Sequence, residues 1–227
     1  MEVRYIDKEL TPQERIRTIA EIDKLVQQYA ESIPVYHQAK VDARTGNVPI
    51  KSLTKLLKII NSAGEFTIMV IADCAVAQKF FLASASDYDK RFARGKLRVI
   101  LNEGFKKVYG FSSSKNKSKK CSTIWEQISE LYPLFSDNLK VIYNEIQASL
   151  EKYSEDAWWV NDRNVETHLD IDGLYESRQE EIIEGKVIME SMELVNILLR
   201  VYDLITKLHG AYCETLVQQY LRQQVES

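Results

Sequence analysis

The sequence predicts an all-α fold, a helical bundle that ends in a long C-terminal helix. Three observations lead there. Gly occurs only 8 times and Pro only 4 times in 227 residues, too few for the many turns of a sandwich or barrel. Apolar residues recur at helical spacing along most of the chain. The one stretch that could be a buried strand, Thr67 to Ile71, has no partner strands elsewhere.

The first helix opens at Thr11-Pro12-Gln13-Glu14. Thr11 can cap it, Pro12 suits the first helical position, and Glu14 completes a capping box. Ile16, Ile19, Val26, Tyr29 and Ile33 follow at helical spacing, and Pro34 is expected to close the helix. Asp42 to Pro49, with Gly46-Asn47, reads as a loop. Ser52 to Ala83 reads as one helix that is apolar nearly all round from Phe66 to Val76, as a central buried helix should be. Asp87 is expected to cap a helix from Tyr88 to Tyr109, with Phe92, Leu97, Ile100, Leu101, Phe105 and Val108 inward.

Residues 111–121 read as a mobile linker with four serines and four lysines. Lys115, Lys117, Lys119 and Lys120 are its candidate phosphate contacts for RNA; the alternative is a solvated loop. A helix from Ser122 to Tyr132 stops at Pro133, and Ser136 caps the next, Asp137 to Tyr153. After an irregular segment, residues 154–172, a terminal helix runs from about Leu174 to Gln223. Its stripe includes Leu194, Leu198, Tyr202, Ile205, Leu208, Tyr212, Leu216 and Tyr220. Fifty residues would span ~75 Å, so a break is expected near Gly185 or Gly210.

Composition narrows the function. Apolar residues make up 45% and charged residues 28% of the chain, a globular balance that excludes a disordered chain. A single domain over residues 1–227 is expected, able to bury roughly 70% of its unfolded surface. Cys74, Cys121 and Cys213 form no CxxC pair, so reduced thiols in the cytoplasm are the reading, not a disulfide framework or zinc cluster. The N-terminus lacks a signal-peptide run. The longest apolar stretch, Phe66 to Ala77, is interrupted by Asp73 and falls short of the ~18 residues that would span a bilayer. Net charge is −3, so any RNA binding must use local basic patches.

One constellation carries chemistry. It reads Trp158-Trp159-Val160-Asn161-Asp162-Arg163-Asn164-Val165-Glu166-Thr167-His168-Leu169-Asp170-Ile171-Asp172. Metal-free RNA cleavage needs a base for the 2′-hydroxyl, an acid for the leaving 5′-oxygen and a cation for the charged phosphorane. His168 can take either proton role. Arg163 can bridge two phosphate oxygens. Asn164 can orient an oxygen without competing for the proton. On a helix, the spacing from 163 to 168 is about one and a half turns.

The pattern Arg163-Asn164-x3-His168 resembles the signature of the HEPN superfamily, all-α bundles that usually dimerise. The resemblance implies a HEPN-like fold and a homodimer whose paired motifs form one cleft. It also implies a metal-independent endoribonuclease of the toxin or antiviral abortive-infection type, with RNA as substrate and an antitoxin protein as a candidate partner. Arg163, Asn164 and His168 are then the catalytic residues, with no cofactor and no metal. Trp158 and Trp159 read as core or interface anchors.

Two other readings use the same residues. Arg163 bridged to Asp162 or Glu166 would make the segment a salt-bridged turn of a catalytically silent interaction protein, with the stripe of the last helix as its partner surface. Alternatively, His168, Asp170 and Asp172 would hold a divalent metal. His37 and His209 have no partner signature, and His209, beside Gly210, is expected near a helix C-terminus.

Overall fold

The computed structural model describes residues 9–45, 54–110, 123–155 and 182–225. Of these, 91% are helical and none lies in a strand, so the chain is all-α. The helices are α1 (Pro12–Thr45), α2 (Thr54–Ala83), α3 (Asp87–Val108), α4 (Ile124–Ser129), α5 (Asp137–Glu155) and α6 (Glu184–Val225). A 3₁₀ turn, Tyr132–Leu134, joins α4 to α5 and contains Pro133.

Local chemistry sets most of the helix starts. At α1 the Thr11 amide donates to the Glu14 carboxylate (2.8 Å) and the Glu14 amide to the Thr11 hydroxyl (3.2 Å), the capping box read from sequence. Thr123 and Glu126 form a second one at α4. At α3 the cap is Ser86, which accepts from the Asp89 amide, while Asp87 is the first helical residue. At the other end of α3, the amides of Tyr109 and Gly110 both return to the Phe105 carbonyl. Gly110 takes φ +86°, the left-handed residue that ends many helices.

Two expected breaks are absent. Pro34 does not close α1, which continues to Thr45. Proline cannot donate to the carbonyl of Ala30, but the turns beyond it pack on α2. There Tyr36 joins the main core and Ala43 is buried with Leu57 and Tyr212. Likewise Gly210 does not interrupt α6, and His209 lies inside that helix rather than at its C-terminal end. Near Gly185 a boundary does occur, because the helix begins at Glu184. Its 42 residues span about 63 Å.

α2 is the centre, touching α1, α3, α4 and α6. By length and composition it could cross a membrane, yet 56% of its most apolar window is buried inside the fold. Ile60, Ile71, Cys74, Phe81 and Leu82 from α2 meet Leu97 and Phe105 from α3, Ile146 and Leu150 from α5, and Leu194, Leu198 and Ile205 from α6 in one cluster. Leu194, Leu198, Ile205 and Leu208 of the α6 stripe proposed from sequence as a partner surface are therefore core. Burial pushes the Cys74 thiol up to about 12, so it is an inert packing group. One polar pair crosses the interior: Gln78 Nε2 donates to Ser191 Oγ (2.7 Å), which donates to the Ile188 carbonyl (2.7 Å).

Around α4, Trp125 stacks on Tyr143 with centroids 4.7 Å apart and planes 9° from parallel, and its indole donates to Gln147. Tyr132 and Phe135 close the cluster against the same Tyr143 ring. This aromatic knot pins the α4–α5 corner.

Candidate functional site

The side chains singled out from sequence, Arg163, Asn164 and His168 with Lys115, Lys117, Lys119 and Lys120, lie outside the described residues. So do Asp170, Asp172, Trp158, Trp159 and the whole 111–121 linker. Among the described residues, no group of three or more His, Cys, Asp and Glu side chains is placed to hold a metal. Three other features carry chemistry, and the first stands where the chain enters α6.

Glu184, the first residue of α6, is fully buried. Arg15 from α1 grips its carboxylate with Nη2 2.8 and 2.9 Å from the two oxygens, and Lys90 from α3 adds a contact of 2.8 Å. Burial alone would raise the Glu184 carboxyl. The hydrogen bonds and charges of Lys90 and Arg15 outweigh it and hold the group below its ordinary value. A carboxylate in the first turn is also favoured by the helix dipole. The cluster thus ties three helices together at the exit of the segment that carries the motif. Arg98, two turns after Lys90, reaches toward Glu190 one and a half turns into α6, at 3.9 Å. The spacing of Lys90, Arg94 and Arg98 along one face of α3 was the signal in the sequence. It says that a basic row exists, not which acid meets it.

The second feature is a polar pocket between α1, α2 and α6, about 510 Å³ in volume. Gln28, Glu31, Ser32 and Val35 of α1 form its rim, Tyr36, Tyr202 and His209 its walls, and Asn61 of α2 lies at its base. Tyr36 and Tyr202 meet edge to face with centroids 6.0 Å apart. Burial, then a hydrogen bond with Tyr202, raises the Tyr36 phenol above its ordinary value, so that phenol stays uncharged. Tyr36 can lie this close to α2 because residue 64 is glycine; a Cβ there would collide with the Tyr36 ring. Just outside, Glu65 receives both Lys40 and His37, the latter at 2.8 Å. Sequence reading missed the pocket, since its residues come from three distant helices and form no motif.

The third feature is an apolar groove of about 650 Å³ between α2 and α3. Val76 and Phe80 of α2 and Phe92 of α3 line it, with Phe80 68% and Phe92 51% exposed. Met69 continues the exposed α2 stripe, so positions 69, 73, 76 and 80 follow a heptad-like spacing. Asp73 and Asp89 flank the groove along with Lys96, whose ammonium lies 5.2 Å from the Phe92 centroid. Burial raises the Asp73 carboxyl.

No family model, curated protein or solved structure matches this chain.

Proposed function

We propose that this chain is a metal-independent endoribonuclease of a conflict or stress system, a toxin or an antiphage factor. The observation that carries the reading is the Arg163-Asn164-x3-His168 constellation in an all-α chain. In the proposed reaction the 2′-hydroxyl oxygen of the RNA attacks the adjacent phosphorus. The bond to the 5′-oxygen breaks, and a 2′,3′-cyclic phosphate and a 5′-hydroxyl end are left. His168 transfers a proton at one of the two oxygens, Arg163 stabilises the charge on the phosphorane, and Asn164 orients it. Lys115, Lys117, Lys119 and Lys120 are the proposed contacts to the RNA backbone. A cytoplasmic homodimer sharing one cleft, restrained by an antitoxin protein, completes the reading.

The test compares the wild type with single variants on single-stranded RNA in EDTA. Arg163→Ala and His168→Ala should each slow cleavage by ~10²–10⁴-fold with the helical signal unchanged. Together they should cost little more than either alone, because they act as one unit. Asn164→Ala should be milder. Cleavage that needs Mg²⁺ and is lost in Asp170→Ala would move the chemistry to a metal site.

A second reading, a catalytically silent interaction protein, is favoured by the α2–α3 groove. Its proposed occupant is a second copy of this chain. A two-fold pairing would lay two exposed apolar stripes together, and both signs of charge, Lys96 against Asp73 and Asp89, are present at the groove to meet across it. Phe80→Glu should then convert a dimer to a monomer in light scattering with helicity intact. A dimer that survives the substitution would remove the groove from this reading.

A further inference from the structure

The polar pocket between α1, α2 and α6 combines aromatic walls with charge of one sign. Tyr36 and Tyr202 both line it, half-buried, with ring planes 70° apart and centroids 6.0 Å apart. Two rings set this close to a right angle form a corner, and each aromatic face carries partial negative charge that attracts a cation. Glu31 stands at the rim. Its carboxylate pairs with no Lys or Arg among the described residues; Gln27 Nε2 is its partner, at a long 3.4 Å. Ser32 donates its one hydroxyl proton to the Gln28 carbonyl (3.0 Å), so its oxygen can only accept from a ligand. No Lys or Arg lines the cavity. The lysines on adjoining turns are already held by acids, Lys40 by Glu65 and Lys207 by Asp203. Asn61, at the base, is fully buried and takes no part.

We propose that this pocket binds a small organic cation, an ammonium head on an apolar body, with the head held by Tyr36, Tyr202 and Glu31. The groups offered to the head are two aromatic rings, a carboxylate and the Ser32 oxygen. Val35 and Ala39 supply apolar surface for the body. An anion would meet Glu31, and would find His209 alone among the lining residues able to carry positive charge. A neutral molecule of the same shape would lose the attraction of both rings and of the carboxylate. The volume, about 510 Å³, falls in the range of small-molecule sites. The inference does not depend on ribonuclease activity, and its test uses no RNA.

The full chain is titrated by ligand-observed NMR with benzylamine and benzyltrimethylammonium, at about pH 8, where an ordinary imidazole is neutral. Benzyl alcohol, which keeps the ring without the charge, and benzoate, an anion of the same ring, serve as controls. At least one ammonium probe should bind saturably, with both controls about tenfold weaker or more. Glu31→Lys reverses the charge at an exposed position and should remove that binding with the helical signal unchanged. Tyr202→Leu takes away one ring and should weaken binding about tenfold. If neither ammonium probe binds the wild type, or if either control binds as tightly, the proposal is overturned. Ammonium binding that survives Glu31→Lys or a folded Tyr202→Leu undiminished would also overturn it, by placing the cation elsewhere. Should Tyr202→Leu fail to fold, Glu31→Lys and the two controls decide alone.

Discussion

Replacing Glu184 by Gln removes one negative charge from a site where Arg15 and Lys90 converge on it. Removing one partner of a buried pair leaves the others without compensation, a loss of about 3 kcal/mol. The effect should depend on pH. The folded state holds this carboxyl below its ordinary 4.5. Its contribution is therefore complete above that value and disappears as pH falls through the lower folded one. In urea unfolding, Glu184→Gln should be clearly weaker than the wild type at pH 7, and the gap should narrow below about pH 4. A gap of constant size across pH would mean that packing, not charge, holds Glu184. Single residues show well how far sequence reaches. The Thr11–Glu14 box is legible because its partners stand three positions apart. The Glu184 pair is not, because Arg15 stands 169 positions away and nothing local marks the acid as buried.

At the scale of elements, helix type and order are legible throughout the described residues, as are the ends of α2 at Ala83 and α3 at Val108, but the breakers Pro34 and Gly210 mislead. Local propensity treats Pro34 as a terminus and Gly210 as a break, since each weakens a helix on its own. In the fold, each lies in a helix that is packed on both sides of it. Tyr36 and Ala43 hold α1 to its neighbours beyond Pro34, and Leu208 and Tyr212 bury α6 on either side of Gly210. Tertiary burial outweighs a local cost of ~1–3 kcal/mol. This yields a clean test at residue 210, where an added Cβ would meet nothing within 4 Å. Gly210→Ala should raise stability by ~0.5–1 kcal/mol in thermal unfolding, because a helical glycine is exchanged for the best helix former. A loss would mean that the backbone at 210 is not helical.

For the molecule as a whole, the fold and the chemistry were legible by different routes. The apolar run of α2 announced the centre of the bundle, although Met69, Val76 and Phe80 leave one of its faces exposed. The α6 stripe announced burial equally well, but periodicity cannot say whether the partner is the same chain or another; Leu194, Leu198 and Ile205 packed on α2 and α3 answer that. The polar pocket was invisible because it arises where helices far apart in sequence cross; the groove lies between the consecutive helices α2 and α3, but periodicity does not say which apolar positions stay uncovered. The proposed catalytic residues reverse this pattern, since a short motif between α5 and α6 names them without any tertiary information. That motif's claim is about bonds made and broken, so the most direct measurement is the chemistry of the cut ends. RNA incubated with the purified chain in EDTA should yield fragments ending in 2′,3′-cyclic phosphate and beginning with 5′-hydroxyl, and His168→Ala should yield none. Fragments that carry 5′-phosphate, or intact RNA with wild type and variant alike, would contradict it.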